Sequence, residues 1–433
     1  MSKDKNINET TENEEEKTEE TEEVAEETYD GAEDNEDNAE YSESDEEFED
    51  DGEEELSQTD ERTPKKRKGI LKYIIMAVVL LVAVKWGIEY FSQDKMPETS
   101  EAELKDKIDL DTSSKYDFIS FGNNVVMCNK YGVFAYNSGG KVVWQYETNL
   151  TSPVLSVCGD NLLVTDIAQS SARVFDLSGK LKNDVTFETE CITASVNENG
   201  WITAILKLRG YRAQISVYDN TSKLRYSWNS ANNDIITAAL CKDNKTLAAS
   251  QLDSSSTSEA YGIVSLFDIT TDGKPYCGKN LENNLVVYMR WSGNKLLCTG
   301  SKNVFEMDKS GNENWSYSYP GELLVYNTKS DYALAFAING NSTSSTKITK
   351  IYTVSNNGKE LGNSEIEGDV KSLEVSDGII EAVSSASIIT LRKNASVKEK
   401  NSLSRDISKC CLFGSKDKVF VISGTTAEIL AVK

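Results

Sequence analysis

The sequence predicts an all-β protein, an eight-bladed β-propeller that follows a disordered acidic tail and a single transmembrane helix. Three observations predict it: an acidic N-terminus, one apolar run of membrane-spanning length, and β-hairpins that recur about every 42 residues in the remainder. The predicted boundaries are 1–63 for the tail, 64–69 for a basic juxtamembrane segment, 70–91 for the transmembrane helix, 92–115 for a stalk with a ring-closing strand, and 116–433 for the propeller.

The acidity of the chain is concentrated in the tail. The 433 residues carry a formal net charge of -25 and no histidine, and residues 1–63 hold 30 Asp and Glu against 4 Lys and Arg. Such a segment has little apolar surface to bury and repels itself, so we expect it to stay disordered. It serves either to solvate the protein or to dock a basic cytoplasmic partner.

The apolar run Ile70 to Phe91 has the length of a membrane span. As a helix it would be about 33 Å long, close to the ~30 Å hydrocarbon core of a bilayer. Its centre, "YIIMAVVLLVAV", is apolar all round, whereas a core helix of a soluble domain has a polar stripe. The predicted anchor residues, which would reach the two membrane interfaces, are Lys72, Lys85, Trp86 and Tyr90.

The basic segment "PKKRK" predicts the orientation of this span. Positive charge accumulates on the cytoplasmic side of membrane helices, so the N-terminus should be cytoplasmic and the C-terminal propeller extracytoplasmic, in the cell membrane. The same five residues match a nuclear import pattern, which is a weak signal. A nuclear-envelope protein therefore remains a second alternative.

The segment between the span and the repeats allows two interpretations. "PETSEAELKDKI" predicts a short helix that begins at Pro97 and is capped by Thr99 or Ser100. "KIDLD", near Lys107, could instead supply a strand that closes the ring by joining the last blade.

Seven related hairpins follow, each written as an apolar strand, a polar turn and a second strand, as in "GVFAYNSGGKVVWQ" and "ARVFDLSGKLKND". Their turns fall near Gly140, Gly179, Ser222, Gly273, Gly311, Gly358 and Ala395. Two further short strands lie between successive hairpins, which makes four strands per blade. Three strands after the last hairpin need a fourth from the N-terminus, which gives eight blades, or seven if an edge element is irregular.

The hairpins "VFAYNSGGKVVWQ", "VFDLSGKLK" and "VFEMDKSGNENWSY" resemble those of the pyrroloquinoline-quinone-like (quinoprotein-type) β-propeller superfamily. The resemblance implies the fold and does not imply an activity. The whole layout also resembles an uncharacterised family of bacterial single-pass membrane proteins with a propeller ectodomain, whose domain has no known function.

The sequence indicates no catalytic constellation. The absence of histidine removes the commonest general base, the usual serine triad and most zinc sites, and there is no phosphate-binding loop. We therefore expect a non-enzymatic protein with no catalytic residues, no cofactor, no metal and no nucleic-acid partner. The quinoprotein resemblance leaves a dehydrogenase, or its degenerate relative, as the alternative.

The adjacent Cys410 and Cys411 are the feature that most favours that alternative, because some quinoprotein dehydrogenases carry such a pair beside the quinone. The stretch around them, however, predicts the inner strand of the last blade, in which neighbouring side chains point to opposite faces. We expect both, like the other six cysteines, to be free thiols that pack as small apolar residues.

Three blades carry long connections between their second and third strands, which propeller geometry places on one side of the disc. Loops of this kind are where partners bind. The candidate partner-binding residues are Arg209, Tyr211, Arg212, Ser255, Tyr261 and Asn341. The sequence thus predicts a rigid extracytoplasmic platform for a protein or glycan partner in the cell envelope.

Overall fold

A computed structural model of the chain describes residue 76 and residues 78–85, 99–109, 115–253, 261–271, 273–340, 347–376, 378–407 and 409–432. Residue 76 and residues 78–85 are helical, and the rest of the predicted span 70–91 lies outside the described residues, as do the acidic tail and the basic segment. Among the residues described, the structure contains no helix with both the length and the apolar character needed to cross a bilayer.

The remaining described residues form eight sheets, so the prediction of eight blades is confirmed and the seven-bladed alternative is wrong. Seven sheets have four strands, and the eighth has five because a short N-terminal strand joins its outer edge. The first strands of neighbouring blades contact one another around a central axis. Blade 1 comprises β3 (Asp117–Phe121), β4 (Asn124–Asn129), β5 (Gly132–Tyr136) and β6 (Val142–Glu147), and blade 2 comprises β7 (Pro153–Cys158), β8 (Asn161–Asp166), β9 (Ser171–Phe175) and β10 (Leu181–Thr186).

The next four blades repeat this pattern. Blade 3 comprises β11 (Cys191–Val196), β12 (Ile202–Leu206), β13 (Ala213–Tyr218) and β14 (Leu224–Ser230), and blade 4 comprises β15 (Asp234–Leu240), β16 (Thr246–Asp253), β17 (Tyr261–Asp268) and β18 (Cys277–Leu281). Blade 5 comprises β19 (Val286–Ser292), β20 (Lys295–Gly300), β21 (Asn303–Asp308) and β22 (Glu313–Ser318), and blade 6 comprises β23 (Leu323–Asn327), β24 (Leu334–Asn339), β25 (Ile348–Val354) and β26 (Glu360–Glu367).

The last two blades incorporate the N-terminal strands β1 (Thr99–Glu101) and β2 (Glu103–Asp109). Blade 7 comprises β27 (Val370–Ser376), β28 (Ile379–Ser384), β29 (Ser387–Leu391) and β30 (Val397–Ser402), and blade 8 comprises β31 (Cys410–Leu412), β32 (Lys418–Ser423), β33 (Thr426–Ala431) and β2. β1 pairs in parallel with β30, and β2 pairs antiparallel with β33, so the N-terminal segment is the outer strand that closes the ring.

The short helix predicted from Pro97 is therefore wrong for the described residues from Thr99 onward. Local propensity favours a helix there, because Glu, Lys, Leu and Ala are good helix formers. Pairing with β30 and β33 supplies backbone hydrogen bonds along both strands, and this tertiary pairing overrides the weak local preference.

The hairpin turns that reveal the repeat have a common cause. In five of them an Asn or Asp ends the third strand or immediately follows it, and its side-chain oxygen accepts a hydrogen bond from the backbone N–H two residues later; these residues are Asn137, Asp176, Asp219, Asp268 and Asp308. In four of these five turns the chain then passes through positive φ, for example +77° at Gly140 and +81° at Gly179. The turn residues are therefore set by backbone geometry.

Tryptophans of the outer strands fix these turns to the preceding blade. A Cβ added to Gly179 would lie 2.4 Å from the indole of Trp144, and one added to Gly358 would lie 2.6 Å from that of Trp315. The Trp144 ring also stacks on buried Phe175 of the next blade, with centroids 6.1 Å apart. Each such contact joins two blades at the outside of the ring, while the inner strands join them at the axis.

Candidate functional site

The strand order gives the disc two chemically different sides. Within a blade, adjacent strands are antiparallel, so connections between the second and third strands lie on the same side as the connections between blades; we call this side the loop face. Connections between first and second strands, and between third and fourth, lie on the opposite side, which we call the turn face. The three long connections singled out in the sequence all belong to the loop face.

The β12–β13 connection brings three of the predicted residues to the loop face. Arg209, Tyr211 and Arg212 are exposed, and Tyr211 retains 47% of its accessible surface. Gly210 at φ +87° turns the chain, and the Tyr211 N–H donates to the Leu208 carbonyl at 3.1 Å. This tight turn holds the phenol ring of Tyr211 out from the disc.

The remaining predicted residues, Ser255, Tyr261 and Asn341, belong to other blades than the β12–β13 connection. Arg212 lies 4.0 Å from Asp234 across the blade 3–blade 4 boundary, an exposed ion pair that contributes little to stability. Tyr261 is partly buried at the start of β17. Ser255 and Asn341 lie outside the described residues.

Apolar side chains near the axis of the loop face were missed by the sequence analysis. The second residue of the inner strand is an aliphatic side chain between 37% and 41% exposed in four blades: Val154, Ile192, Val287 and Leu324. Ile192, Val287 and Leu324 each lie at a β-bulge, where the pairing between the first and second strands skips one residue. The bulge displaces these side chains from the packed sheet. Each of these four inner strands has Val, Ile or Leu at its second position, and this recurrence is the sequence pattern that could have identified the apolar surface.

Two exposed tyrosines extend this apolar surface. Tyr131 lies in the β4–β5 connection of blade 1 and Tyr116 immediately precedes β3, so both belong to the loop face. Tyrosine combines a large apolar body with a polar tip and is enriched in protein interfaces. The loop face thus combines an aliphatic centre with exposed aromatic and arginine side chains around it.

The turn face holds a different feature, an axial pocket with a volume of about 580 Å³. Its lining comes mainly from the carboxyl ends of inner strands and the turns that follow them, in seven of the eight blades. The charged and aromatic residues that line it are Glu198, Tyr288, Arg290, Trp291, Lys329, Asp331, Glu374 and Lys409. None of these was proposed from the sequence, since they come from different blades and share no motif.

Arg290 organises the blade 6 side of the pocket. Its Nε donates to the Thr328 carbonyl at 2.6 Å, one terminal nitrogen donates to the Ser330 carbonyl at 3.2 Å, and the other pairs with Asp331 at 2.9 Å. The guanidinium is only 15% exposed, so its charge and hydrogen-bonding capacity are used within the protein. Arg290 thereby fixes the turn that carries Lys329.

Lys409 has the same role between blades 8 and 1. Its ammonium donates to the Phe118 carbonyl at 2.6 Å and to Asp117 at 3.1 Å, and it lies 4.6 Å from the centre of the Phe118 ring. This contact joins the last blade to the first at the axis.

Glu374 is the unusual group of the pocket. Surrounding protein raises the pKa of its carboxyl from the ordinary 4.5 to about 7 by desolvation, and the charges of Lys329 and Lys409 offset only part of that effect. Burial likewise raises the pKa of Tyr288, to about 12, so this phenol stays protonated.

Glu381 is paired directly opposite Glu374 and is completely buried in blade 7. Burial raises its pKa from the ordinary 4.5 to about 8, and its carboxylate oxygens lie 2.9 and 3.1 Å from the Thr390 hydroxyl. The folded state therefore retains a proton that the unfolded chain releases above pH 4.5.

Glu381→Gln should remove this pH dependence. As pH rises from about 5 to 8 the unfolded chain binds fewer protons than the folded one, so the wild type loses stability relative to the variant. We expect the variant to gain on the order of 3 kcal/mol over the wild type by pH 8. Chemical denaturation at pH 5, 6.5 and 8 measures the difference. Glu365→Gln, on the exposed strand β26, is the matched control. If both variants changed the free energy of unfolding equally, the pH dependence would not come from buried Glu381.

Six of the eight cysteines are buried, as the sequence analysis expected, whereas Cys158 and Cys277 are only partly buried. All eight are free, and Cys410 and Cys411 are buried in the inner strand β31. Burial raises the pKa of both thiols well above their ordinary range. No group of three or more His, Cys, Asp or Glu residues in the described part of the chain could hold a metal ion.

Of the predicted membrane anchors, Lys85 is the last described helical residue and is exposed, whereas Lys72, Trp86 and Tyr90 lie outside the described residues. The structure therefore leaves the anchor as a prediction.

Comparison with solved structures supports the fold. The WD40 domain of Sif2 matches with a TM-score of 0.56 at 10% identity, covering 78% of this chain and all of that one. BamB from Moraxella catarrhalis (TM-score 0.48, 11% identity, 76% of this chain and all of that one) and the Cps50 (Swd1) propeller of Myceliophteria thermophila (0.44, 11%, 77% and all) are also similar. No curated protein sequence matches the chain. A family model does match, over residues 95–431, and the chain therefore belongs to the Family of unknown function (DUF5711).

Proposed function

We propose that this protein is a non-enzymatic, membrane-anchored propeller that binds a protein partner through its loop face outside the cytoplasm. The observation that carries the proposal is the set of exposed aliphatic residues at the axis of that face, Val154, Ile192, Val287 and Leu324. A rigid propeller keeps them in place without a partner, which is the preorganisation that favours tight association.

The surroundings of this aliphatic centre resemble the anatomy of a protein interface. Exposed Tyr116, Tyr131 and Tyr211, together with Arg209, supply the residue types that anchor such contacts. Aliphatic side chains favour a protein partner over a glycan, because sugars are bound mainly by aromatic stacking and hydrogen bonds. A partner with an exposed apolar side chain would fill the centre of the face.

The membrane anchor and the orientation are supported by the sequence alone. The apolar run 70–91 has the length of a span, and "PKKRK" precedes it on the side predicted to be cytoplasmic. In this arrangement the acidic tail is cytoplasmic, where it could dock a basic partner. Nothing in the described part of the structure favours a quinoprotein-like dehydrogenase or a nuclear-envelope protein.

One experiment on intact cells tests both parts of the proposal. A photo-crosslinking amino acid replaces Tyr211 on the loop face or, as the matched control, Tyr276, which is 52% exposed in a connection on the turn face. We expect a discrete partner adduct at position 211 only, and its loss when Leu324 is changed to Asp. Tags near Glu40 and Ser255 are also treated with a membrane-impermeant reagent, and only the tag near Ser255 should react.

Two results would contradict the proposal. Equal adducts at positions 211 and 276, or adducts that survive the Leu324 substitution, would remove the loop face as the docking surface. Labelling only near Glu40 would place the propeller on the cytoplasmic side and reverse the topology. The thermal unfolding of each variant shows whether the ring remains folded.

A further inference from the structure

The axial pocket on the turn face is a second candidate site, separate from the proposed docking surface. Its volume of about 580 Å³ lies within the range of small-molecule sites, which is roughly 300–1,000 Å³. It is lined by charged, hydroxyl, aromatic and aliphatic side chains together, so a ligand could be oriented by polar groups against an apolar wall.

Most charges of the pocket are already neutralised by protein groups. Arg290 pairs with Asp331 at 2.9 Å, Lys409 pairs with Asp117 at 3.1 Å, and Glu198 lies 3.9 Å from Lys242. Each of these three pairs links two neighbouring blades, and together they leave little net charge for a ligand.

Two charged groups of the lining differ from the others. Within the described residues, neither the carboxylate of Glu374 nor the ammonium of Lys329 has a hydrogen bond or an ion pair. They come from adjacent blades, 7 and 6, and both line the pocket, yet they do not pair with each other. A carboxylate that is half-buried and unpaired is energetically costly, more so opposite a second carboxyl group at Glu381.

We propose that the axial pocket binds a small zwitterion of the amino-acid or dipeptide class, with its ammonium group on Glu374 and its carboxylate on Lys329. A ligand with one charge would satisfy one of these groups and leave the other without a partner. A zwitterion satisfies both and adds no net charge to a nearly neutral pocket. Its apolar part would contact Tyr288 and Trp291.

The turn that carries Lys329 is preorganised for this role. Arg290 holds it through the carbonyls of Thr328 and Ser330, and the Lys329 N–H donates to the Asn327 side chain at 3.2 Å. On the opposite side, the Asn327 amide donates to the Leu373 carbonyl at 3.0 Å, next to Glu374. The two binding groups therefore sit on backbone segments that are tied to each other.

The affinity of the pocket for its ligand should also depend on pH. The groups that face Glu374 are Lys329, Lys409, Glu381, Cys410 and Cys411. With a Glu374 pKa of about 7, an ammonium ligand selects the ionised carboxyl and releases a proton on binding. Affinity for L-alanine, whose ammonium group stays protonated over this range, should rise by about tenfold between pH 6 and pH 8, because the fraction of ionised Glu374 rises by that factor.

Calorimetric titration of the full-length protein tests the proposal with L-alanine and L-alanyl-L-alanine as probes. N-acetylation of the dipeptide removes its ammonium group, and C-terminal amidation removes its carboxylate. We expect each change to weaken binding to the wild type by about tenfold or more. In Glu374→Gln the acetylation penalty should vanish while the amidation penalty remains, and Lys329→Gln should show the reverse.

This cross-pattern cannot arise from general destabilisation, since each variant retains one of the two penalties. Lys329 is exposed on a turn, so its variant keeps the assay informative if Glu374→Gln fails to fold. The absence of binding heat for both probes at millimolar concentration would overturn the proposal. So would penalties that are the same in both variants and the wild type. Neither result bears on the loop face, whose test is independent.

Discussion

A chain that begins at residue 110, and so lacks β1 and β2, should lose on the order of 3–5 kcal/mol of stability and unfold in more than one step. β2 supplies the outer strand of blade 8, and its removal leaves the backbone groups along one edge of β33 without protein partners. β33 is almost entirely buried, from Thr426 to Leu430, so the new edge exposes core residues to water. The inner strand of this blade has only three residues, which leaves little to compensate.

The measurement is thermal and chemical unfolding followed by hydrogen exchange. The matched control is a chain that begins at residue 99 and retains both strands. We expect the control to match the full-length propeller, and the shorter chain to lose protection first in β31 to β33. Equal stability of the two truncated chains would show that ring closure does not depend on β2.

Gly179→Ala should cost about 3 kcal/mol, far more than an alanine substitution normally does. The added Cβ would meet the Trp144 indole at 2.4 Å, and φ is +81°, which L-residues rarely adopt. The matched control is Gly210→Ala, where φ is +87° but no atom lies within 4 Å of the added Cβ. The control should cost only the backbone strain of about 1 kcal/mol.

Denaturant unfolding of the two variants separates steric clash from strain. Gly358→Ala repeats the test in blade 6, where the added Cβ would lie 2.6 Å from Trp315. If Gly179→Ala and Gly210→Ala cost the same, the contact between the indole and the next blade is not what requires glycine at this turn.

The repeat could be predicted from the sequence because its cause is local. An Asp or Asn at the end of the third strand and a residue at positive φ are required by the turn itself, so they recur in the sequence. Counting these turns gives seven blades, and the three strands after the last turn together with one N-terminal strand give the eighth. The free cysteines were predictable for a similar reason, since strand alternation places Cys410 and Cys411 in the interior.

The N-terminal strands were predicted only in part, and the axial pocket was not predicted. The sequence indicated both a helix over residues 97–108 and a ring-closing strand near Lys107. The pairing of β2 with β33 confirms the strand, whereas the pairing of β1 with β30 was not predicted. Glu374 and Lys329 come together through the order of blades around the axis, and no spacing in the sequence records that proximity. The aliphatic residues of the loop face could be predicted only in part. Their recurrence in the repeat can be recognised in the sequence, but the bulges that expose them cannot.

The pairing of Glu103 with Ala431 has a consequence for how the protein is made. At roughly 5–20 residues per second, a ribosome needs on the order of half a minute to synthesise the chain between these two partners. Throughout that time blade 8 lacks its three C-terminal strands, so the inner strands of blades 1 and 7 have no neighbour at the gap. Growing chains are therefore open arcs with exposed apolar sides, and two arcs could join each other before either closes. Synthesis of β31 to β33 and the pairing of β33 with β2 end this hazard.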